Sequence, residues 1–124
     1  MKISLADREA EVMQVLWTQG PSTVAEVRGR LKDPLAYTTV LTILRNLEAK
    51  GYVGHHGEGR AHRYSTLILR ETARRSALRD LAAKLFGGSS ALLLTELVRD
   101  EGLSTEELKR IRRLLSRRSK GSSS

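Results

Sequence analysis

The sequence has no cysteine and few proline or aromatic residues. Of its 124 residues, two are proline, one is phenylalanine, one is tryptophan and three are tyrosine. The absence of cysteine excludes disulfide bonds, thiolate nucleophiles and the sensing of copper or zinc through thiols. No apolar run approaches the ~20 residues that a membrane-spanning helix needs, and no signal peptide precedes the first predicted helix. We therefore expect a cytoplasmic protein with no membrane partner.

Positive charge is in excess and is unevenly distributed. The chain has 22 Lys and Arg residues against 14 Asp and Glu residues, a formal net charge of +8, which favours a polyanionic partner such as nucleic acid. Residues 1–67 carry nine basic and seven acidic side chains, whereas residues 68–124 carry thirteen and seven. Most of the excess thus lies in the second half, where we expect a solvent-exposed helix face and a basic tail.

The most informative segment is a predicted helix over residues 37–47, with Gly51 as its C-terminal cap. Its apolar residues gather on one face. The opposite face presents hydroxyl, amide and guanidinium groups and no carboxylate, which suits the base-pair edges of a DNA major groove better than it suits water. The predicted buried face comprises Tyr37, Val40, Leu41, Leu44 and Leu47. The outer face, which we predict to bind DNA, comprises Thr38, Thr39, Thr42, Arg45 and Asn46.

A short hairpin is predicted directly after this helix. The hydrophobic period changes from 3.6 to about 2, and residues 52–56 and 61–66 read as two strands. The two glycines between them allow the positive φ angles of a tight reversal. We predict that this hairpin is a wing whose Arg60 and Arg63 bind DNA phosphates.

Two further helices are predicted before the DNA-reading helix. The first runs from about Asp7 to Gln19, and the second begins at Thr23, which with Glu26 has the spacing of a capping box. Three helices, with a turn of about five residues before the third, and a hairpin form a winged helix-turn-helix. We therefore predict a mainly α (α+β) protein with a DNA-binding domain over residues 1–67.

The second half is predicted to form three helices that carry more leucines than one chain can bury. Fewer than sixty residues with one Phe and no Trp make a small core, whereas a two-fold partner would cover the remaining leucines. We predict a dimerisation domain over residues 68–118 and a disordered tail over residues 119–124. Packing of these helices on the winged domain is the alternative. The predicted dimer contacts are Leu93, Leu97, Leu108, Ile111, Leu114 and Leu115.

Neither a metal site nor an enzyme is predicted. His55 and His56 are adjacent strand residues that point to opposite faces, so they cannot jointly bind one ion, and an imidazole beside a phosphate is the simpler use. His62 occupies the position where a dinucleotide-binding loop needs its third glycine. No nucleophile motif, paired carboxylate or cofactor loop is present, so we expect no cofactor. A winged helix that binds protein is the alternative to DNA binding, but it would require an apolar outer helix face.

Five segments resemble the penicillinase repressor family, of the BlaI/MecI type. Residues 9–17, 23–27 and 37–53 resemble its three DNA-binding helices, residues 59–64 its wing, and residues 103–108 the start of its last dimerisation helix. The resemblance covers nearly the whole chain. It implies a bacterial homodimeric transcriptional repressor that binds an inverted-repeat operator in double-stranded DNA near the genes it silences.

The resemblance also implies a mode of release. Relatives in resistance operons are cut at an Asn-Phe bond in the dimerisation region after a membrane sensor detects β-lactam, so an inactivating protease of a sensor system is a candidate partner. This chain has Glu96-Leu97 at that position. Smaller departures are Ala6 at a helix cap that is usually Ser or Thr, and His55 where the wing often has Arg.

Overall fold

A computed structural model describes residues 2–100 and 102–122, and within them the chain is mainly helical with one small sheet. The chain divides into two compact units, Met1–Leu78 and Arg79–Ser124. The predicted fold class, a mainly helical winged helix-turn-helix protein, is confirmed. In chain order the elements are α1 (Asp7–Gln19), α2 (Val24–Arg30), α3 (Tyr37–Ala49), β1 (Val53–His56), a 3₁₀ turn (Gly59–Ala61), β2 (Arg63–Thr66), α4 (Arg70–Leu85), α5 (Ser90–Arg99) and α6 (Thr105–Ser122).

The core of the first unit lies where α1, α2, α3 and the hairpin meet. Apolar residues spaced three and four apart on α1 and α3 place one face of each helix inward. This burial is the main stabilising contribution to the unit, because each fully buried Leu, Val or Met contributes about 1.5–3 kcal/mol. The largest fully buried side chains are Met13, Leu44, Leu47, Val12, Val27, Val40 and Val53.

Local sequence signals fix where the helices begin and end. Thr23 and Glu26 form the predicted capping box, in which each side chain accepts the backbone N–H of the other residue at 3.2 Å. Gly51 has φ +84° and ends α3 as predicted. Its N–H donates to the Glu48 carbonyl, and the Tyr52 N–H donates to the Leu47 carbonyl, which together form a Schellman motif. These caps hold α2 and α3 to defined lengths.

The hairpin is antiparallel, and a backbone bridge to Ser22 attaches it to the helices. Its register pairs Val53 with Thr66 and His55 with Tyr64. On its other edge, Tyr64 exchanges two backbone hydrogen bonds with Ser22, at 2.8 and 3.0 Å, just before α2. The wing is therefore tied to the start of α2 by backbone pairing as well as by packing.

The first unit continues past the predicted domain boundary at residue 67. Ile68 and Ala73 belong to its buried core. The Trp17 indole N–H donates to the Ile68 carbonyl at 3.0 Å, and the Ile3 N–H donates to the buried Ser76 hydroxyl at 2.8 Å. The first half of α4 is thus a part of the first unit, which extends beyond the end of the hairpin.

The second unit has almost no core of its own. Of its described residues, Ala82 alone is buried. Helix α6 continues to Ser122, so it includes the first part of the tail predicted from Ser119, and residues 123 and 124 lie outside the described part. No single helix in the described residues is long and apolar enough to cross a membrane; α4 and α5 pass by length and composition only as a pair bent by 90°.

Candidate nucleic-acid interface

Helix α3 is held at the surface of the first unit by its apolar face. Val40, Leu44 and Leu47 are completely buried, and Ile43 is also buried although the sequence analysis did not assign it to that face. The turn that joins α2 to α3 is fixed by the Arg28 side chain, whose Nε donates to the Leu35 carbonyl at 2.6 Å. This anchoring leaves the other face of α3 free.

All five outer residues that were predicted to bind DNA are exposed on α3. Thr42 donates its hydroxyl hydrogen to the Thr38 carbonyl at 2.9 Å, one turn earlier. This internal bond leaves the Thr42 methyl group and the oxygen lone pairs for a partner. The exposed set is Thr38, Thr39, Thr42, Arg45 and Asn46.

Arg63, one of the two predicted wing residues, lies against α2. Its guanidinium donates to Glu26 at 2.9 Å and approaches the Pro21 carbonyl at 3.5 Å. The Thr23 N–H, the Thr23 hydroxyl and the Arg63 charge lower the pKa of Glu26, so this carboxylate stays ionised. Both partners are about half exposed, at 52% each, and water screens such a pair, so Arg63 can exchange Glu26 for a phosphate at little cost.

The tip of the wing depends on glycine. Gly57 has φ +94°, and a Cβ atom there would lie 2.9 Å from the Ala61 carbonyl oxygen, closer than side chains tolerate. The backbone of Arg60, the other predicted phosphate contact, lies in the 3₁₀ turn. Its side chain lies outside the described part of the structure.

A cleft between α3 and the wing brings together side chains that are far apart in the sequence. The cleft has a volume of about 410 Å³. Inside it, His55 Nδ1 is hydrogen-bonded to the Glu48 carboxylate at 2.5 Å, and the rings of His55 and His62 lie 4.5 Å apart. Burial and the Glu48 carboxylate raise the pKa of Tyr64, whose phenol lines the same space. No sequence pattern links α3 to both strands, so only the fold brings these residues together.

The remaining site predictions concern the dimer contacts and a metal site. In the second unit, the predicted dimer residues lie on α5 and α6, with Leu93 and Ile111 partly buried. The remaining four are 40–56% exposed: Leu97, Leu108, Leu114 and Leu115. Among the described residues, no group of three His, Asp or Glu side chains could hold a metal ion.

The sequence of the chain is similar to those of known proteins. The family described as penicillinase repressor matches residues 5–117. The transcriptional regulator BlaI of Mycobacterium tuberculosis is 35% identical over 116 residues, which cover 90% of this chain and 83% of that protein. The penicillinase repressor of Bacillus licheniformis is 26% identical over 113 residues, which cover 90% of this chain and 88% of that protein.

A solved structure has the same fold. A MarR family protein from Bacillus stearothermophilus matches 98% of this chain and 78% of its own, with a TM-score of 0.51 and 20% identity. The resemblance seen in the sequence is thus confirmed, and so is the expectation that the protein is not an enzyme. The chain belongs to the penicillinase repressor family, a family of transcriptional repressors.

Proposed function

We propose that the protein is a homodimeric, sequence-specific DNA-binding repressor that acts in the bacterial cytoplasm on an inverted-repeat operator. The observation that carries the proposal is the outer face of α3, where all five predicted residues are exposed and none is acidic. A helix of this kind enters a major groove without bringing negative charge against the phosphates.

The chemistry of this face supports direct reading of bases. Arg45 suits the two acceptors of a guanine, and Asn46 suits the donor and acceptor of an adenine. Thr42 has its hydroxyl hydrogen engaged within the helix, so its methyl group suits the methyl group of a thymine. The hydroxyls of Thr38 and Thr39, at the start of the helix, suit phosphate oxygens.

The wing supplies charge rather than sequence information in this proposal. Arg63 and Arg60 bind phosphates, which sets the position of the unit on the duplex. Because each such contact releases counterions, its loss weakens binding to any sequence and lowers the salt dependence by about 1.

The apolar surface of α5 and α6 supports a homodimer. A unit with a single buried residue among those described exposes leucines on both helices, and a second copy covers them by two-fold symmetry. Two linked DNA-binding units then engage two half-sites, which raises affinity by ~10²–10⁴ without a new base contact. Leu97→Asp or Ile111→Asp places a charge in this contact and should give a monomer with weak operator binding.

Release by proteolysis fits the same architecture. The Glu96-Leu97 bond lies inside α5, and Leu97 is 49% exposed. Cleavage there by a protease of a sensor system separates α6 from the rest of the chain and removes five of the six proposed dimer residues, all except Leu93. The repressor would then lose its second half-site.

Footprinting on the promoter of its own gene, followed by selection from random duplexes, tests the proposal. We expect one preferred inverted repeat. Thr42→Ala and Asn46→Ala should each cost roughly 1–3 kcal/mol and relax the preference at one position, whereas Gln14→Ala on the exposed side of α1 should change neither. If both α3 variants keep full affinity and preference, and binding is insensitive to salt, α3 instead docks on a protein.

A further inference from the structure

We propose that the cleft between α3 and the wing holds a DNA phosphate and that its two imidazoles take up a proton when the phosphate enters. The inference rests on the proposed function, because it adds a contact to the DNA interface of the first unit. It makes His55 and His62 DNA-binding residues and Glu48 a residue that sets the charge of the site.

The position of the cleft suits the path of a DNA strand. With α3 in a major groove and the wing on the adjoining backbone, one strand of the duplex passes between the two elements. The lining of this space includes the apolar side chains of Val24 and Leu41. It also includes the imidazoles of His55 and His62, which can donate to phosphate oxygens, and Arg45, which adds a positive charge.

The net charge of the cleft depends on its imidazoles. From α3, Arg45 contributes one positive charge and Glu48 one negative charge. The Tyr37 and Tyr64 hydroxyls add hydrogen-bonding capacity but no charge, and the Arg60 side chain lies outside the described residues. With neutral imidazoles the two charges cancel, whereas one protonated imidazole makes the cleft positive.

In this proposal the hydrogen bond between His55 and Glu48 makes His55 the group that holds the added proton. The Glu48 side chain is 33% exposed and the His55 side chain is 37% exposed, so water only partly screens the electrostatic interaction between them. A carboxylate alone would repel a phosphate. A protonated His55 neutralises that carboxylate, and His62, whose ring is 4.5 Å from that of His55, remains available to the phosphate.

DNA binding measured as a function of pH tests the proposal. The chain contains three histidines, so the effect of each one can be measured separately. The probe is a labelled mixed-sequence duplex at constant ionic strength, with affinity followed by fluorescence anisotropy. Imidazole is the side chain whose charge ordinarily changes between about pH 5 and 8. Because a proton is taken up on binding, we expect affinity to fall about tenfold from pH 6 to pH 8.

The third histidine provides a matched control. His56 is adjacent to His55, is exposed, and lies on the opposite face of the strand. His55→Gln and His62→Gln should each reduce the pH dependence to about threefold or less, and the double variant should abolish it. His56→Gln should keep the full tenfold change. A His56→Gln profile as flat as that of His62→Gln would overturn the proposal.

Glu48→Gln separates a charge effect from a structural one. Removal of the carboxylate leaves the cleft positive even with neutral imidazoles, so we expect about threefold tighter binding at pH 8. If the contact between Glu48 and His55 only held the wing in place, Glu48→Gln would weaken binding, and that result would refute the inference. A pH-independent wild-type affinity would also refute it while leaving the proposed function intact. If the protein does not bind the duplex at any pH, even at low salt, the proposed DNA-binding function itself is contradicted.

Discussion

A shortened chain that ends at Leu78 should fold as a stable unit, whereas one that ends at Leu67 should be strongly destabilised. The difference lies in the first half of α4. Ile68 and Ala73 are 9% and 7% exposed in the core, and removing them loses about 2–4 kcal/mol of apolar burial. Two hydrogen bonds are also lost, one from the Trp17 indole and one to the buried Ser76 hydroxyl, at about 0.5–1.5 kcal/mol each.

Ordering the residues of α4 costs conformational entropy, which offsets part of this gain. We therefore expect the shorter chain to be less stable by about 2–4 kcal/mol, a large part of the ~5–15 kcal/mol of a typical domain. Urea unfolding followed by the fluorescence of Trp17, the sole tryptophan, measures the difference in both chains. Equal free energies of unfolding would refute the assignment of the first half of α4 to the first unit.

Three further predictions concern single side chains in this unit. Glu9→Gln should cost about 1–3 kcal/mol, because the buried carboxylate accepts from Lys50 at 2.7 Å. Burial alone would raise the pKa of Glu9, but the hydrogen bonds from Lys50 and the Ala6 N–H outweigh burial, so the net pKa is lowered from 4.5. The Glu9 contribution to the free energy of unfolding should therefore be present above about pH 4.5 and be lost as the pH falls through the lowered pKa, which chemical unfolding at several pH values measures. Gly57→Ala should destabilise the wing by about 1–3 kcal/mol in thermal unfolding, because its positive φ and the Ala61 carbonyl leave no room for a methyl group. Arg63→Ala should leave the melting temperature unchanged yet weaken operator and mixed DNA by equal factors; a loss confined to the operator would show that Arg63 reads sequence.

Local patterns were sufficient to predict helix α3 and its exposed face. The helical period separates Val40, Leu44 and Leu47 from the threonine face, and Gly51 marks the end of α3. Each of these features depends on residues within one or two turns. For the same reason the capping box at Thr23 was predictable.

Features that depend on distant parts of the chain were not predictable. Glu9 lies one turn before Met13 on the inward face of α1, and the Lys50 ammonium that pairs with its buried carboxylate comes from the end of α3. Glu48 and His55 meet only after the wing folds back against α3. Ile68 and Ala73 follow the hairpin, and nothing local shows that they belong to the core of the first unit.

The central claim is that two copies of the chain read two half-sites. The most direct test compares the binding of the full chain to an operator duplex with two half-sites and to one in which a half-site has been replaced. We expect two chains per intact duplex, half-site centres about one or two helical turns apart, and an affinity ~10²–10⁴-fold above that for the single half-site. One chain per duplex, or equal affinity for the two duplexes, would contradict the account.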